Sequence, residues 1–229
     1  MLWNTDEELF LLAKTELFSA LIGDVCDKNG YTHQFLPQEL KPLSAEMKMV
    51  GRAMTVLECD VFAERVGGSA NGVMDKPFGL MFQALDSLKE NEIFVCSGTS
   101  NAYAMWGGLM STRARMLKCA GALLNGFSRD TPEVLSLGFP CFSRGTYAQD
   151  QGVRGKVLDY RVPIEIGGVC VHPGDIIFGD LDGVIVVPRS IEREIIMQAL
   201  EKGRAEKKVR NAILNGMSTV EAFEVFGIM

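Results

Sequence analysis

The residues best suited to chemistry stand side by side at Arg129-Asp130. A carboxylate near a helix start can anchor a metal ion, and an adjacent guanidinium can grip a substrate carboxylate through two parallel N–H bonds. The same pair could instead be a local ion pair or a helix-capping aspartate. Thr131-Pro132-Glu133 follows at once, a cap-type residue and then proline in the first turn, which places the pair just ahead of a helix N-terminus. Backbone N–H groups at such an end can hold an anion. Gly107-Gly108, preceded by Trp106, is the second candidate. Small residues at a helix start leave N–H groups open to an oxyanion, or else allow tight packing against a sheet. Asp175, Asp180 and Asp182 in PGDIIFGDLDG have the chemistry to meet a hard cation. Aspartate beside glycine more often marks a hairpin turn, and no calcium-loop spacing follows.

Other chemistries are excluded by what the chain lacks. The six cysteines are widely spaced with no CxxC, as expected of free thiols packed as small hydrophobes. Only His33 and His172 are present, which argues against a Cys/His zinc site and a triad with two imidazoles. GGSANG is not GxGxxG opening a helix, and neither a phosphate loop nor GxSxG occurs. A net charge of -6 offers no basic face for nucleic acid or an anionic membrane. No run approaches the roughly 20 apolar residues needed to span a bilayer. The N-terminus is acidic before its apolar run, unlike a secretory signal, so a cytoplasmic protein is expected.

The elements that must position these residues are legible from periodicity and punctuation. Thr5 and Glu8 suggest a capping box opening a short helix that buries Leu9 and Leu12. A second helix over about 16–27 turns Leu17, Ala20, Leu21 and Val25 inward and stops at Asn29-Gly30. MVGRAMTVLE and IFVCSG read as strands, separated by a glycine-rich loop from Gly67 to Gly72 and a helix near 80–88. A helix over about 104–119 leads through Gly121 into the short run ALL and then NGFSRD, polar residues at a strand's C-terminal end. Residues 156–188 read as β with short Gly/Pro connectors. A long helix over about 191–214 is capped by Ser190 and ended by Asn215-Gly216, and Ser218 with Glu221 caps a final short one. No repeat or linker divides the chain, so a single domain over 1–229 is expected, with 190–229 as a C-terminal helical extension at a subunit contact.

The segment GGLMSTRARMLKCAGALLNGFSRD, residues 107–130, strongly resembles the signature of the RraA-like family. VGRAMTV near residue 50, VCVHPGDIIFGDLDGVIVVP over 169–188 and AEKKVR in the long helix agree with it. That family contains class II 4-hydroxy-4-methyl-2-oxoglutarate/4-carboxy-4-hydroxy-2-oxoadipate aldolases and regulators that inhibit ribonuclease E. The resemblance implies a compact α/β domain of the swivelling β/β/α, phosphohistidine-domain-like kind, assembled as a homotrimer or hexamer. It implies a lyase acting on a small 2-oxo acid through a pyruvate enolate, as an aldolase or oxaloacetate decarboxylase; the alternative is a non-catalytic regulator that binds protein. It assigns Mg²⁺ or Mn²⁺ to Asp130, with Glu206 of a neighbouring subunit reaching the metal through water and Glu201 as the fallback. Arg129 would bind the pyruvate carboxylate and enolate oxygen, and the backbone at Gly107, Gly108 and Leu109 would contact the pyruvoyl part. Two positions depart from the family pattern: Gly108 replaces an acidic residue, and Asn125-Gly126 replaces Asp-Gly. Tyr103, Met105 and Trp106 are candidates for the rest of the pocket, or for core.

Overall fold

The computed structural model describes residues 2–61 and 69–228. In chain order the helices are α1 (Asp6–Glu16), α2 (Ser19–Lys28), α3 (Met81–Asp86), α4 (Gly108–Met116), α5 (Thr131–Ser136), α6 (Glu192–Leu214) and α7 (Thr219–Phe226). The strands are β1 (Lys41–Pro42), β2 (Met49–Asp60), β3 (Glu92–Ser97), β4 (Ala104–Trp106), β5 (Gly121–Leu124), β6 (Phe127–Ser128), β7 (Cys141–Ser143), β8 (Gly155–Tyr160), β9 (Ile164–Ile166), β10 (Val169–Val171), β11 (Ile176–Gly179) and β12 (Val184–Val187). The expected α/β class with C-terminal helices is what the chain adopts.

The main sheet runs β1-β7-β5-β3-β2-β11-β12, with β8 also on β2. β2 is the axis because it is long and apolar on both faces. Its first half pairs antiparallel with β11, its last residues pair antiparallel with β8, and it runs parallel to β3. β3 with β5 and β5 with β7 are also parallel, and the remaining pairings of this sheet are antiparallel.

Successive side chains on these strands enter different cores, as a period of two demands. On one face Met49, Ala53, Ile93, Val95, Ile177 and Val186 meet the β9-β10 hairpin. The other face is covered by two helix groups. Phe94, Cys96 and Leu124 lie under α3, α4 and α5, whereas Val50, Phe178, Ile185 and Val187 lie under α1, α2 and α6. Both faces being buried explains strands that read as apolar runs.

Several sequence expectations shift at element ends. Thr5 caps α1 as foreseen, accepting from the Glu8 N–H at 3.2 Å, but the Glu8 carboxylate reaches Asn4 N–H rather than closing the box. Leu12 is only half-buried. α2 begins at Ser19, and this register turns Ala20 outward while Leu17, Leu21 and Val25 are buried. Residues 104–106 form β4 rather than the first turn of α4, because they pair with β6. Ser190 does not cap α6: the turn closed by Ile191 N–H on Pro188 C=O absorbs it, and Ile191 holds the cap position. The Ser218/Glu221 capping box is present in full. Gly67 and Gly68 of the glycine-rich loop lie outside the described residues, while Gly72 opens a short 3₁₀ turn. All six cysteines are free. No helix among the described residues is long and apolar enough to cross a membrane.

One buried group works against stability. Glu58 lies 2% exposed at the irregularity in β2, and its Oε1 has no partner. Burial pushes its carboxyl up to about 7, opposed by the Cys96 thiol, which donates to Oε2 at 3.4 Å. Below the ordinary value of 4.5 the group is protonated in both folded and unfolded chains. As pH rises the unfolded chain ionises first, so stability is lost progressively up to about pH 7. Glu58→Gln is therefore expected to stabilise the protein by about 3 kcal/mol at pH 8, a gain that vanishes at pH 4, as read from urea midpoints at both values.

Candidate functional site

Arg129 and Asp130 are brought to Gly107 by a short parallel ladder. β4 pairs with β6, with Trp106 opposite Ser128, and the Arg129 N–H continues the ladder to Trp106 C=O at 2.9 Å. Trp106 fixes the other side. Its ring is 1% exposed, lies 4.8 Å from Phe94 and stacks 5.9 Å from Phe139, and its Nε1 donates to Ser111 Oγ at 2.7 Å. Ser111 Oγ in turn donates to Gly107 C=O at 3.0 Å, so core and helix start are locked together.

Asp130, not Thr131, holds the cap position of α5. It sits at φ 55°, ψ 37°, with no capping bond from its side chain. A non-glycine residue in this left-handed region carries strain, though aspartate bears it better than most. Here the turn swings the carboxylate away from its own helix toward α4, where Oδ2 accepts the Gly108 N–H at 3.1 Å. Gly107 makes room for it: a Cβ there would stand 2.6 Å from Asp130 Oδ2. A Cβ at Gly108 would instead run into the carboxylate of Glu133, on the first turn of α5. Where the family pattern has an acid at 108, this chain places the carboxylate of Glu133 against the bare glycine. The two glycines are thus not equivalent. Gly107→Ala is expected to push the Asp130 carboxylate off its N–H donor and cost about 1.5–3 kcal/mol of stability, the worth of one charge-assisted bond. Gly108→Ala displaces only the end of an exposed flexible side chain and should cost less than about 0.5 kcal/mol; urea midpoints read both.

A carboxylate that sequence reasoning missed completes the arrangement. Asp150 Oδ1 lies 2.8 Å from Arg129 Nη1, closer than Asp130 Oδ2, which is 3.8 Å from Nε. Asp150 is held by the Gly152 N–H on Oδ2 at 2.8 Å, and its loop is tied to β4 by Ala104 N–H on Gln149 C=O at 2.9 Å. Arg129, Asp130 and Asp150 line a pocket of about 270 Å³ with Trp106, Gly107 and Leu109. Arg129 and Asp130 also border a second hollow beside Thr146 and Tyr147.

The other sequence candidates fall elsewhere. Met105 and Trp106 are core residues that also reach the pocket, whereas Tyr103 is core alone, its hydroxyl donating to Cys59 C=O at 3.4 Å. Glu206 is half-buried on α6, 3.6 Å from Lys202, and lines hollows beside Arg210 rather than the Asp130 pocket of its own chain. Glu201 is exposed on the same helix. Asp175 accepts N–H bonds from His172 and Arg189, and Asp180 from Ser19 and Asp182, so both are turn formers. Asn125, at the second departure from the family pattern, ties Ser97 to Arg144 by side-chain bonds of 3.0 and 2.9 Å.

A divalent cation fits Asp130 by the chemistry of the donor. The carboxylate keeps one oxygen clear of Gly108 N–H, and the left-handed turn directs it toward the α4 start. Among the described residues no group of three or more Asp, Glu, His or Cys could hold a metal, so a cation here would rest on few protein ligands. That suits Mg²⁺, which keeps several waters and takes few protein ligands.

Comparison with known proteins narrows the field. The model of the family described as RraA-like, Aldolase/RraA, matches residues 19–186. A Halalkalibacterium halodurans protein named "Putative 4-hydroxy-4-methyl-2-oxoglutarate aldolase" is 30% identical over 203 residues, 88% of this chain and 87% of its own length. Protein DlpA of Legionella pneumophila is 28% identical over 90% of this chain, which spans only 32% of DlpA. The crystal structure of Streptomyces coelicolor RraAS2, titled an unusual member of the RNase ES inhibitor RraA protein family, superposes with a TM-score of 0.74. It covers 91% of this chain and 98% of its own at 24% identity, a likeness of fold.

Proposed function

The chain belongs to the RraA-like family, and from that premise we propose that it is a divalent-metal-dependent lyase acting on a small 2-oxo acid through a pyruvate enolate. The observation that carries the reading is the convergence of Arg129, Asp130 and the Gly107–Leu109 backbone on one pocket. The aldolase names of relatives at about 30% identity support it.

Mg²⁺ or Mn²⁺ on Asp130 would act as a Lewis acid toward the keto and carboxylate oxygens of the substrate. Arg129 would meet the substrate carboxylate and the negative charge that develops on the keto oxygen as the C3–C4 bond breaks. Asp150 holds the guanidinium in place before substrate arrives. It is also the carboxylate of this pocket not assigned to the metal, and once Arg129 turns to the substrate it would take the proton of a 4-hydroxyl, which aldol cleavage requires and oxaloacetate decarboxylation does not. Glu206 of a neighbouring copy, in a trimer or hexamer, would reach the metal through water. The test is pyruvate release from oxaloacetate and 4-hydroxy-4-methyl-2-oxoglutarate with Mg²⁺, with EDTA and in Asp130→Ala. Metal-dependent release that the substitution abolishes supports the reading. Release from neither substrate above a metal-only control leaves a different 2-oxo acid or a protein-binding role, and absence of metal-dependent exchange of pyruvate C3 protons as well removes the lyase reading.

A further inference from the structure

The wall of the pocket facing Arg129 says what the substrate carries beyond its pyruvoyl part. Phe78 and Phe82 meet edge to face at 5.5 Å, and Met81, Leu109 and Met110 close the same hollow. These side chains come from α3, α4 and the turn before α3, yet they converge on one concavity continuous with Gly107 and Asp130. Leu109 is 82% exposed and Phe82 53%, a large apolar surface left open where a small molecule can cover it. Phe78 is held there at a cost. Its φ of 59° is the left-handed region, unfavourable for a bulky residue, and the turn is pinned by Val157 N–H on Phe78 C=O at 3.2 Å and Leu80 N–H on Val157 C=O at 2.9 Å.

Charge points the same way. Among the described residues lining this pocket Arg129 is the one cation, already shared with Asp150, while Asp130 and Asp150 are both acidic. With a metal on Asp130 and Arg129 engaged by Asp150 and the pyruvoyl carboxylate, a second carboxylate on the substrate would face Asp150 and an apolar wall with no further side-chain cation to offset its desolvation. We propose that the substrate is a 4-hydroxy-2-oxo acid with a single carboxylate, whose C4 side carries an aryl or branched alkyl group released as an uncharged aldehyde or ketone. This deepens the lyase reading and rests on it.

The test is calorimetric binding of pyruvate, phenylpyruvate and 2-oxoglutarate to the Mg²⁺-loaded protein and to Phe82→Ala and Asp130→Asn. Phenylpyruvate is expected to bind at least about tenfold tighter than 2-oxoglutarate, and Phe82→Ala to cut the phenylpyruvate-to-pyruvate affinity ratio by about tenfold. Equal or tighter binding of 2-oxoglutarate, an unchanged ratio in Phe82→Ala, or no phenylpyruvate binding overturns the inference. The lyase reading fails separately, if Asp130→Asn leaves pyruvate binding unaltered whatever the order of the other ligands.

Discussion

Arg129→Lys is expected to lower kcat/KM for pyruvate release by about 10²–10³ while the protein stays folded. The guanidinium has several jobs at once. Nη1 is held by Asp150 at 2.8 Å, Nε lies 3.8 Å from Asp130, and the side chain lines the pocket. A lysine ammonium keeps the charge but cannot hold Asp150 and also donate two parallel bonds to a substrate carboxylate. Because the lost contact strengthens as charge moves onto the keto oxygen, kcat should fall more than KM rises. Steady-state kinetics on oxaloacetate with Mg²⁺ check this; a loss below about tenfold would mean that Arg129 acts only as a point charge.

Trp106→Ala is expected to cost about 3–5 kcal/mol of stability, a large share of what a domain of this size holds. The ring fills the space between Phe94 and Phe139 under α4, and its indole N–H satisfies Ser111. Removal leaves a cavity in that core and loosens the bonds that lock Gly107 to it. Trp106→Phe should recover most of the loss, since it keeps the aromatic contacts and forfeits the hydrogen bond. Urea midpoints compare the three proteins.

How far these features could be read from sequence depends on how local their causes are. The Ser218–Glu221 capping box lies within four residues, and its signal survives folding. The β2 and β3 runs are legible because both their faces are buried. Ala104–Trp106 reads as helix because nothing nearby announces β6, its partner, which follows more than twenty residues later. The cap of α5 moves from Thr131 to Asp130 because the left-handed turn that starts the helix also serves contacts to α4. Arg129, Asp130 and the glycine pair were legible from residue type and resemblance, and one short ladder brings them together. Asp150 carried no such signal: it stands on an irregular loop and meets Arg129 only in three dimensions. The apolar wall is hidden for the same reason, since Phe78 and Phe82 look like ordinary core residues until α3 and α4 place them around one hollow.

The enolate itself can be followed without knowing the natural substrate. Pyruvate incubated in D₂O with the protein and Mg²⁺ exchanges its C3 protons only as fast as the enolate forms and is reprotonated, and proton NMR counts the methyl signal that remains. The account predicts exchange well above the metal-only rate, abolished by EDTA and by Asp130→Asn, a variant that retains an oxygen to accept the Gly108 N–H. Exchange that persists undiminished in Asp130→Asn, or that never rises above the metal-only rate, would contradict it.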